Sequence, residues 1–256
     1  MIHLEGRQSI EAALAAGRRR IEVILLKEGA HAEKLGELLA AAERRRVAVK
    51  RVSGGELERL AHGRSHGGVI AVCGPLPPAN ERELLATLDG LRSAPLLLLI
   101  DGSEDDRNLG FTLRTAEALG ATAVLVKKHV LDFDETEVSR SSSGALERLP
   151  PVRIDRESEL LRELRRRGLE LVGCVAGAKR SVFDLDLRRP TLLAVGGEKR
   201  GLSGAVRGQC TLFARIPTAG SGASLPMSHA AAILLAECAR QRRDQAAERE
   251  SGSAAR

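Results

Sequence analysis

The sequence predicts an α/β protein built from two successive units, and three features carry that reading. Short aliphatic runs alternate with stretches of helical periodicity. Pro75, Pro77 and Pro78 crowd one short segment and interrupt the alternation. In the second unit, loops rich in glycine follow the aliphatic runs.

In the first unit, residues 7–17 place Ile10, Ala13, Leu14 and Ala16 on one helical face. Residues 21–26 form a run of strand length. Residues 31–46 repeat the helical spacing through Leu35, Leu38, Leu39 and Ala42, and residues 47–52 alternate as a strand. Ser53 followed by Glu56 is a capping-box pattern that opens a helix through Leu60. Residues 68–73 close the unit as another strand. The prolines that follow cannot sit in a central strand and favour a stiff connector, with a short helix over 81–91.

The second unit opens on residues 95–100, an unbroken aliphatic run of the kind buried on both faces of a parallel sheet. A helix over 109–119, a strand over 121–127, a helix over 156–167 and a strand over 170–175 follow. Strands over 191–195 and 211–216, each leading into a loop, precede a closing helix over about 227–240. The expected organisation is a first domain at 1–75, a linker at 76–94, a second domain at 95–242 and a flexible tail at 243–256.

The net charge is +6 and the isoelectric point about 9.5, a balance that favours polyanionic partners. With four phenylalanines and no Trp or Tyr, the chain is poorly equipped to grip single strands by base stacking. Contact with a nucleic acid would rest on Arg and Lys against phosphate. Arg18–Arg20, Arg44–Arg46 and Arg165–Arg167 are candidates, although each also fits a solvated helix end. No apolar run is long enough to span a bilayer, and residues 1–20 have no apolar signal core. A cytoplasmic location is expected. Cys73, Cys174, Cys210 and Cys238 lie far apart without ligand spacing, so reduced thiols and no metal are expected.

Three segments after strands carry residues that packing alone does not require. The first, 101–114, holds Asn108 near a helix start and Arg114 further along. By itself it also reads as an acidic first turn with Asn108 as cap. The second, 193–202, places Gly196, Gly197 and Gly201 around Glu198, where a ligand can approach the backbone closely. Its spacing fits neither a P-loop nor a dinucleotide fingerprint. The third, 216–230, runs from Ile216 and Pro217 to a helix for which Ser224 is a natural cap and Pro226 a first-turn residue.

Together and in this order, the segments resemble the three motifs of the SpoU (TrmH-like) family of RNA ribose methyltransferases, within the SPOUT class. Asn108, Leu109, Gly110 and Arg114 match the first motif, and Val195, Gly196, Glu198 and Gly201 the second. Ile216, Pro217, Gly220, Ser224, Leu225 and Ser228 match the third. Ser143, Gly144 and Ala145, followed by Leu149 and Pro150, resemble a further mid-domain stretch. In the first unit, Gly6-Arg7 and His66-Gly67-Gly68-Val69 resemble the edges of the ribosomal-protein-like domain that binds substrate in such enzymes. One position departs: Pro226 stands where the family has Asn, removing an amide and a backbone donor.

The resemblance implies a trefoil-knotted parallel sheet, a homodimer with its site near the subunit interface, and S-adenosylmethionine as methyl donor. It implies transfer to a ribose 2′-hydroxyl of RNA, ribosomal RNA in the first instance. Arg114 would orient the phosphate and activate the hydroxyl, Asn108 and Glu198 would hold Arg114 and the ribose, and Ser224 would order the third loop. Cofactor contacts would come from Val195, Gly196, Gly201, Ile216 and Leu225. Ile233, Leu234 and Leu235 on the closing helix are candidates for the dimer interface. Three alternatives stay open: an RNA-binding relative that has lost turnover through Pro226, a tRNA ribose methyltransferase, and an unrelated nucleotide-binding α/β enzyme.

Overall fold

A computed structural model describes the chain except residues 31–34, 63–65, 104, 128–129, 131, 155, 221–224 and 255–256, and the side chains from 246 onward. The first unit contains β1 (Ile2–Glu5), α1 (Arg7–Ala16), β2 (Ile21–Lys27), α2 (Gly36–Arg44), β3 (Ala48–Val52), α3 (Gly54–Leu60) and β4 (Val69–Cys73). Its four-stranded sheet has the order β1-β4-β2-β3, with β2 parallel to β3 and the other pairs antiparallel. The strand β1 has no counterpart among the sequence expectations. The helix expected over 31–46 is described from Gly36 onward, its first part lying outside the described residues. At α3 the capping box is formed: the Ser53 hydroxyl accepts from the Glu56 N–H, and the Glu56 carboxylate accepts from the Ser53 N–H at 2.9 Å.

The connector carries α4 (Glu81–Asp89) and lies against the second unit. Ala79 forms a parallel bridge with Val152, and Leu84 is buried beneath the sheet. Beyond it come β5 (Leu96–Ile100), α5 (Asp106–Ala118), β6 (Ala123–Lys127), α6 (Glu135–Ser142), α7 (Ala145–Arg148), β7 (Val152–Ile154), α8 (Glu157–Arg166) and β8 (Glu170–Cys174). The short β9 (Arg180–Ser181), β10 (Thr191–Val195), α9 (Gly204–Arg207), β11 (Leu212–Arg215) and α10 (Met227–Ala254) complete it. The seven strands are all parallel, in the order β7-β6-β5-β10-β8-β11-β9.

Every residue of β5 and β10 is buried. One face of the sheet packs on α5, α6 and α10, the other on α4, α8 and α9, which is why these strands show no polar alternation. Each buried Leu or Val contributes roughly 1.5–3 kcal/mol relative to exposure. Helix α5 begins earlier than expected because Asp105 caps it, accepting from the N–H groups of Arg107 and Asn108 at 2.7 and 3.3 Å. Asn108 is therefore inside the helix and is not its cap. Helix α10 runs on through the segment expected to be a flexible tail, whose Gln, Ala, Glu and Arg are strong helix formers. Leu234 and Leu235 are fully buried within their own chain, so they are not available to a partner subunit.

The two units meet where α1 and β1 pack on α6 and α7. Arg19 has a fully buried side chain, with Nη2 2.7 Å from Glu147 and Nη1 2.7 Å from Glu135. It also donates to the Gly74 carbonyl at 3.2 Å. The Ser9 hydroxyl donates to the Ser139 carbonyl across the same seam at 3.1 Å. Arg19 is thus a structural cation and not a phosphate contact. The other arginine clusters are partly engaged as well: Arg45 donates to the Ala15 carbonyl, and Arg167 pairs with Glu163 and Asp89. Replacing Arg19 by Leu leaves Glu147 buried without its cation, and a loss of about 3–5 kcal/mol is expected. Chemical denaturation together with proteolysis between the units measures it; unchanged stability would show that the pair contributes nothing net.

Candidate active site

The C-terminal ends of β8, β10 and β11 open onto a cavity of about 700 Å³. This is the edge where open parallel sheets hold their ligands. Val195 to Gly197 form one wall, Ile216 and Pro217 another, and Leu225 with Met227 at the start of α10 a third. The wall at Gly196 depends on the absence of a side chain. A Cβ there would stand 2.1 Å from the carbonyl carbon of Gly201 and 2.4 Å from the amide nitrogen of Leu202. The segment folds back on itself, with Gly201 N–H donating to the Gly197 carbonyl at 2.9 Å.

A polar brace holds this loop from behind. The Asp101 side chain is wholly buried just past β5, and its carboxylate accepts from both the backbone N–H and the hydroxyl of Ser203. Lys127, at the end of β6, reaches Asp101 at 2.9 Å, Glu157 at 2.7 Å and Ser203 Oγ at 3.2 Å. Burial alone would lower the Lys127 pKa, but its bonds to Glu157 and Asp101 outweigh that and hold it above the ordinary ammonium value. Sequence reading missed all of these residues. The available signal was the position of Asp101 and Lys127 at the C-terminal ends of adjacent parallel strands.

The three motif segments converge, but not on Arg114. Ser228 Oγ donates to Asn108 Oδ1 at 2.9 Å, tying the third segment to the first. The Met227 N–H points to Glu198 Oε1 at 3.4 Å, placing a carboxylate at the start of α10, where the helix dipole favours it. Thr112 joins the same cluster through the Met227 sulfur at 3.3 Å. Within one chain, Asn108 and Glu198 therefore hold the start of α10 and do not hold Arg114. Arg114 lies six residues beyond Asn108, about 240° further around the helix, and its exposed side chain lines a separate hollow. Ser224 lies outside the described residues. Gly110 serves packing, since a Cβ there would stand 1.9 Å from Ser141 Oγ on α6.

Burial raises the Cys174 thiol at the cavity wall far above its ordinary value, so it stays protonated and unreactive. Cys210 is pushed up to about 11, again by burial. Among the described residues no His, Cys, Asp and Glu side chains group to hold a metal ion, and no helix is long and apolar enough to cross a membrane. The cavity suits a nucleoside-sized ligand: it offers glycine backbone and aliphatic walls, with the Glu198 carboxylate set among Arg200, Arg207 and Arg215.

Comparison with known proteins agrees with this geometry. Residues 95–236 match the model of the SpoU rRNA Methylase family, and residues 3–79 that of the RNA 2′-O ribose methyltransferase substrate-binding domain. The chain is 36% identical over 237 residues to a Pseudomonas aeruginosa protein named 23S rRNA (guanosine-2′-O-)-methyltransferase RlmB, covering 93% of this chain and 95% of that one. A protein of the same name from Photobacterium profundum is 34% identical over 238 residues, covering 93% and 96%. The crystal structure of the SpoU methyltransferase AviRb from Streptomyces viridochromogenes in complex with the cofactor AdoMet superposes with a TM-score of 0.78. Its identity is 31%, over 94% of this chain and 90% of that one.

Replacing Asp101 by Asn removes the charge that holds Lys127 and weakens the grip on Ser203. Charged hydrogen bonds of this kind contribute about 1.5–3 kcal/mol, so titration calorimetry should show S-adenosylmethionine affinity falling about ten-fold or more. Unaltered affinity would mean that the brace does not shape the cavity.

Proposed function

The chain belongs to the SpoU rRNA methylase family, and from that premise we propose that it methylates the 2′-hydroxyl of a guanosine in 23S ribosomal RNA, as a cytoplasmic homodimer. That it is an S-adenosylmethionine-dependent RNA 2′-O-methyltransferase follows from its similarity along nearly its whole length to enzymes of that activity. The finer substrate assignment is supported by the shared name of the relatives, which cover 93% of the chain including its substrate-binding unit. The cavity at the β8, β10 and β11 edge carries the reading.

When bound, S-adenosylmethionine supplies a methyl group already activated by a sulfonium. The protein's task is to position the acceptor and manage one proton. We assign cofactor contacts to Val195, Gly196, Gly201, Ile216 and Leu225, which line the cavity. Glu198 lines the same space and accepts from the Met227 N–H, holding the start of α10 at the cavity. Asn108 acts through Ser228 to fix the start of α10 and hence the third wall. Ser224 is assigned to ordering the third loop.

Arg114 is assigned the acceptor side. A guanidinium is a poor base near neutral pH, so its contribution is to hold the phosphate beside the target ribose and to stabilise charge developing on the 2′-oxygen as its proton leaves. Because Arg114 does not reach the cavity of its own chain, the reading needs a second copy, with Arg114 of the partner subunit completing each site. Phe111, 48% exposed on the same helix, is the apolar surface that supports such pairing.

Arg114→Ala is expected to retain its fold and its affinity for S-adenosylmethionine, while transfer of labelled methyl to ribosomal RNA is abolished. Unchanged incorporation would remove Arg114 from the reaction. Pro226→Asn should keep or improve cofactor affinity, because Pro226 is exposed and lies outside the cavity lining. A marked loss by calorimetry would show that the loop has come to depend on proline.

A further inference from the structure

We propose that the α2–β3 turn and the exposed strand β3 are where the phosphate backbone of the substrate RNA docks, held by Arg44, Arg46, Lys50 and Arg51; the proposal rests on the rRNA activity proposed above. Residues 44–51 carry five cations in eight positions and no carboxylate. All five of those residues are exposed.

Ion pairing separates this cluster from the other two arginine clusters of the sequence. Arg18 pairs with Glu83, Arg19 is buried between Glu135 and Glu147, and Arg20 pairs with Glu22. On α8, Arg166 pairs with Glu163, and Arg167 with both Glu163 and Asp89. Arg44, Arg46, Lys50 and Arg51 meet no carboxylate among the described residues, the adjacent Glu43 included. Their charge is left for an anion from outside the chain.

Arg45 has a different role. Its guanidinium lies over Gly17, where a Cβ would stand 2.6 Å from Nη2, and it donates to the Ala15 carbonyl at 3.1 Å. That contact ties the turn to the end of α1, and Arg46 completes the turn with a φ of 56°. The neighbouring cations are thus presented from a fixed backbone. Ala15 also lines the hollow that holds Arg114. The basic surface therefore begins beside the arginine assigned to the target phosphate and continues onto β3.

Strand β3 ends the sheet order β1-β4-β2-β3, so one edge pairs with β2 and the other carries no strand among the described residues. Lys50 and Arg51 are consecutive in the strand and point to opposite faces, which flanks the free edge with positive charge on both sides. Charged side chains also guard free edges against aggregation. Guarding works with either sign, whereas here the sign is uniform from the turn through the strand. In a chain with four aromatic residues, contact through phosphate is the mode this surface offers to RNA.

The test uses the full-length protein and a 23S rRNA transcript. Affinity is measured by filter binding over a range of KCl concentrations for the wild type and for a variant combining Arg44→Gln, Arg46→Gln, Lys50→Gln and Arg51→Gln. A control removes the same charge from α8 through Arg156→Gln, Arg162→Gln, Arg165→Gln and Arg166→Gln. The β3 variant should lose roughly ten-fold or more in affinity and about three units of slope in log affinity against log salt, close to one per phosphate contact. The KM for RNA should rise in parallel, with kcat at saturating RNA, melting temperature and S-adenosylmethionine affinity unchanged. A β3 variant whose affinity and slope match those of the control overturns the docking surface alone, and leaves the strand as a guarded edge or a site for an acidic protein. A wild-type protein that puts no methyl on the transcript overturns the rRNA reading, and this proposal with it.

Discussion

The turn at Gly196 is the constraint on which the cavity depends. Only a residue without a side chain lets the chain after β10 pass so close to Gly201 and Leu202, and only that passage turns the end of a buried strand into a wall. What stands behind the turn matters equally. Asp101 and Lys127 come from the two strands beyond β10 on one side, β5 and β6, and they meet Ser203 just past the loop. The sheet thus supplies both the surface that faces the ligand and the charge that pins it.

A second level of organisation joins the two units. Burying Arg19 with two carboxylates is costly in itself, and such pairs often contribute less to stability than apolar packing would. Their value here lies in geometry. A loose linker would let the substrate-binding unit wander, whereas the buried pair and the packed connector fix α1 against α6 and α7, which pack on α5, the helix that carries Arg114. Arg114 and α1 of the first unit then face the same hollow, while the cavity at the β8, β10 and β11 edge opens elsewhere on the molecule.

Much of the fold was legible in the sequence because burial on both sheet faces leaves a plain mark. Residues 95–100 and 191–195 are almost wholly aliphatic, and they became β5 and β10. The Ser53–Glu56 pair was equally readable, since a capping box is a local interaction. Elements held by distant partners were not. Helix α6, with the polar sequence Glu-Thr-Glu-Val-Ser-Arg-Ser-Ser, is fixed by packing on α5, and β1 by pairing with β4. The glycine loop of the site could be found because it stands in order between two other motif segments; alone it reads as a plain turn. The Asp101–Lys127–Ser203 brace was missed because it joins residues remote in sequence, with only the strand-end positions of Asp101 and Lys127 to point to it. The position of Arg114 escaped for a simpler reason: motif spacing states order along the chain and says nothing about which side of a helix a residue occupies.

The strand order has a consequence for how the protein reaches this state. The central strand β10 lies between β5 and β8, yet it is translated after both. Those two strands have no permanent partner on their inner edges until residues 191–195 emerge, and their closure spans a long stretch of chain. Contacts of such high sequence separation slow folding and leave open strand edges exposed meanwhile. The nascent second unit is therefore the part of the chain most in need of protection from aggregation, and the first unit, whose sheet is complete by Cys73, can fold well before it.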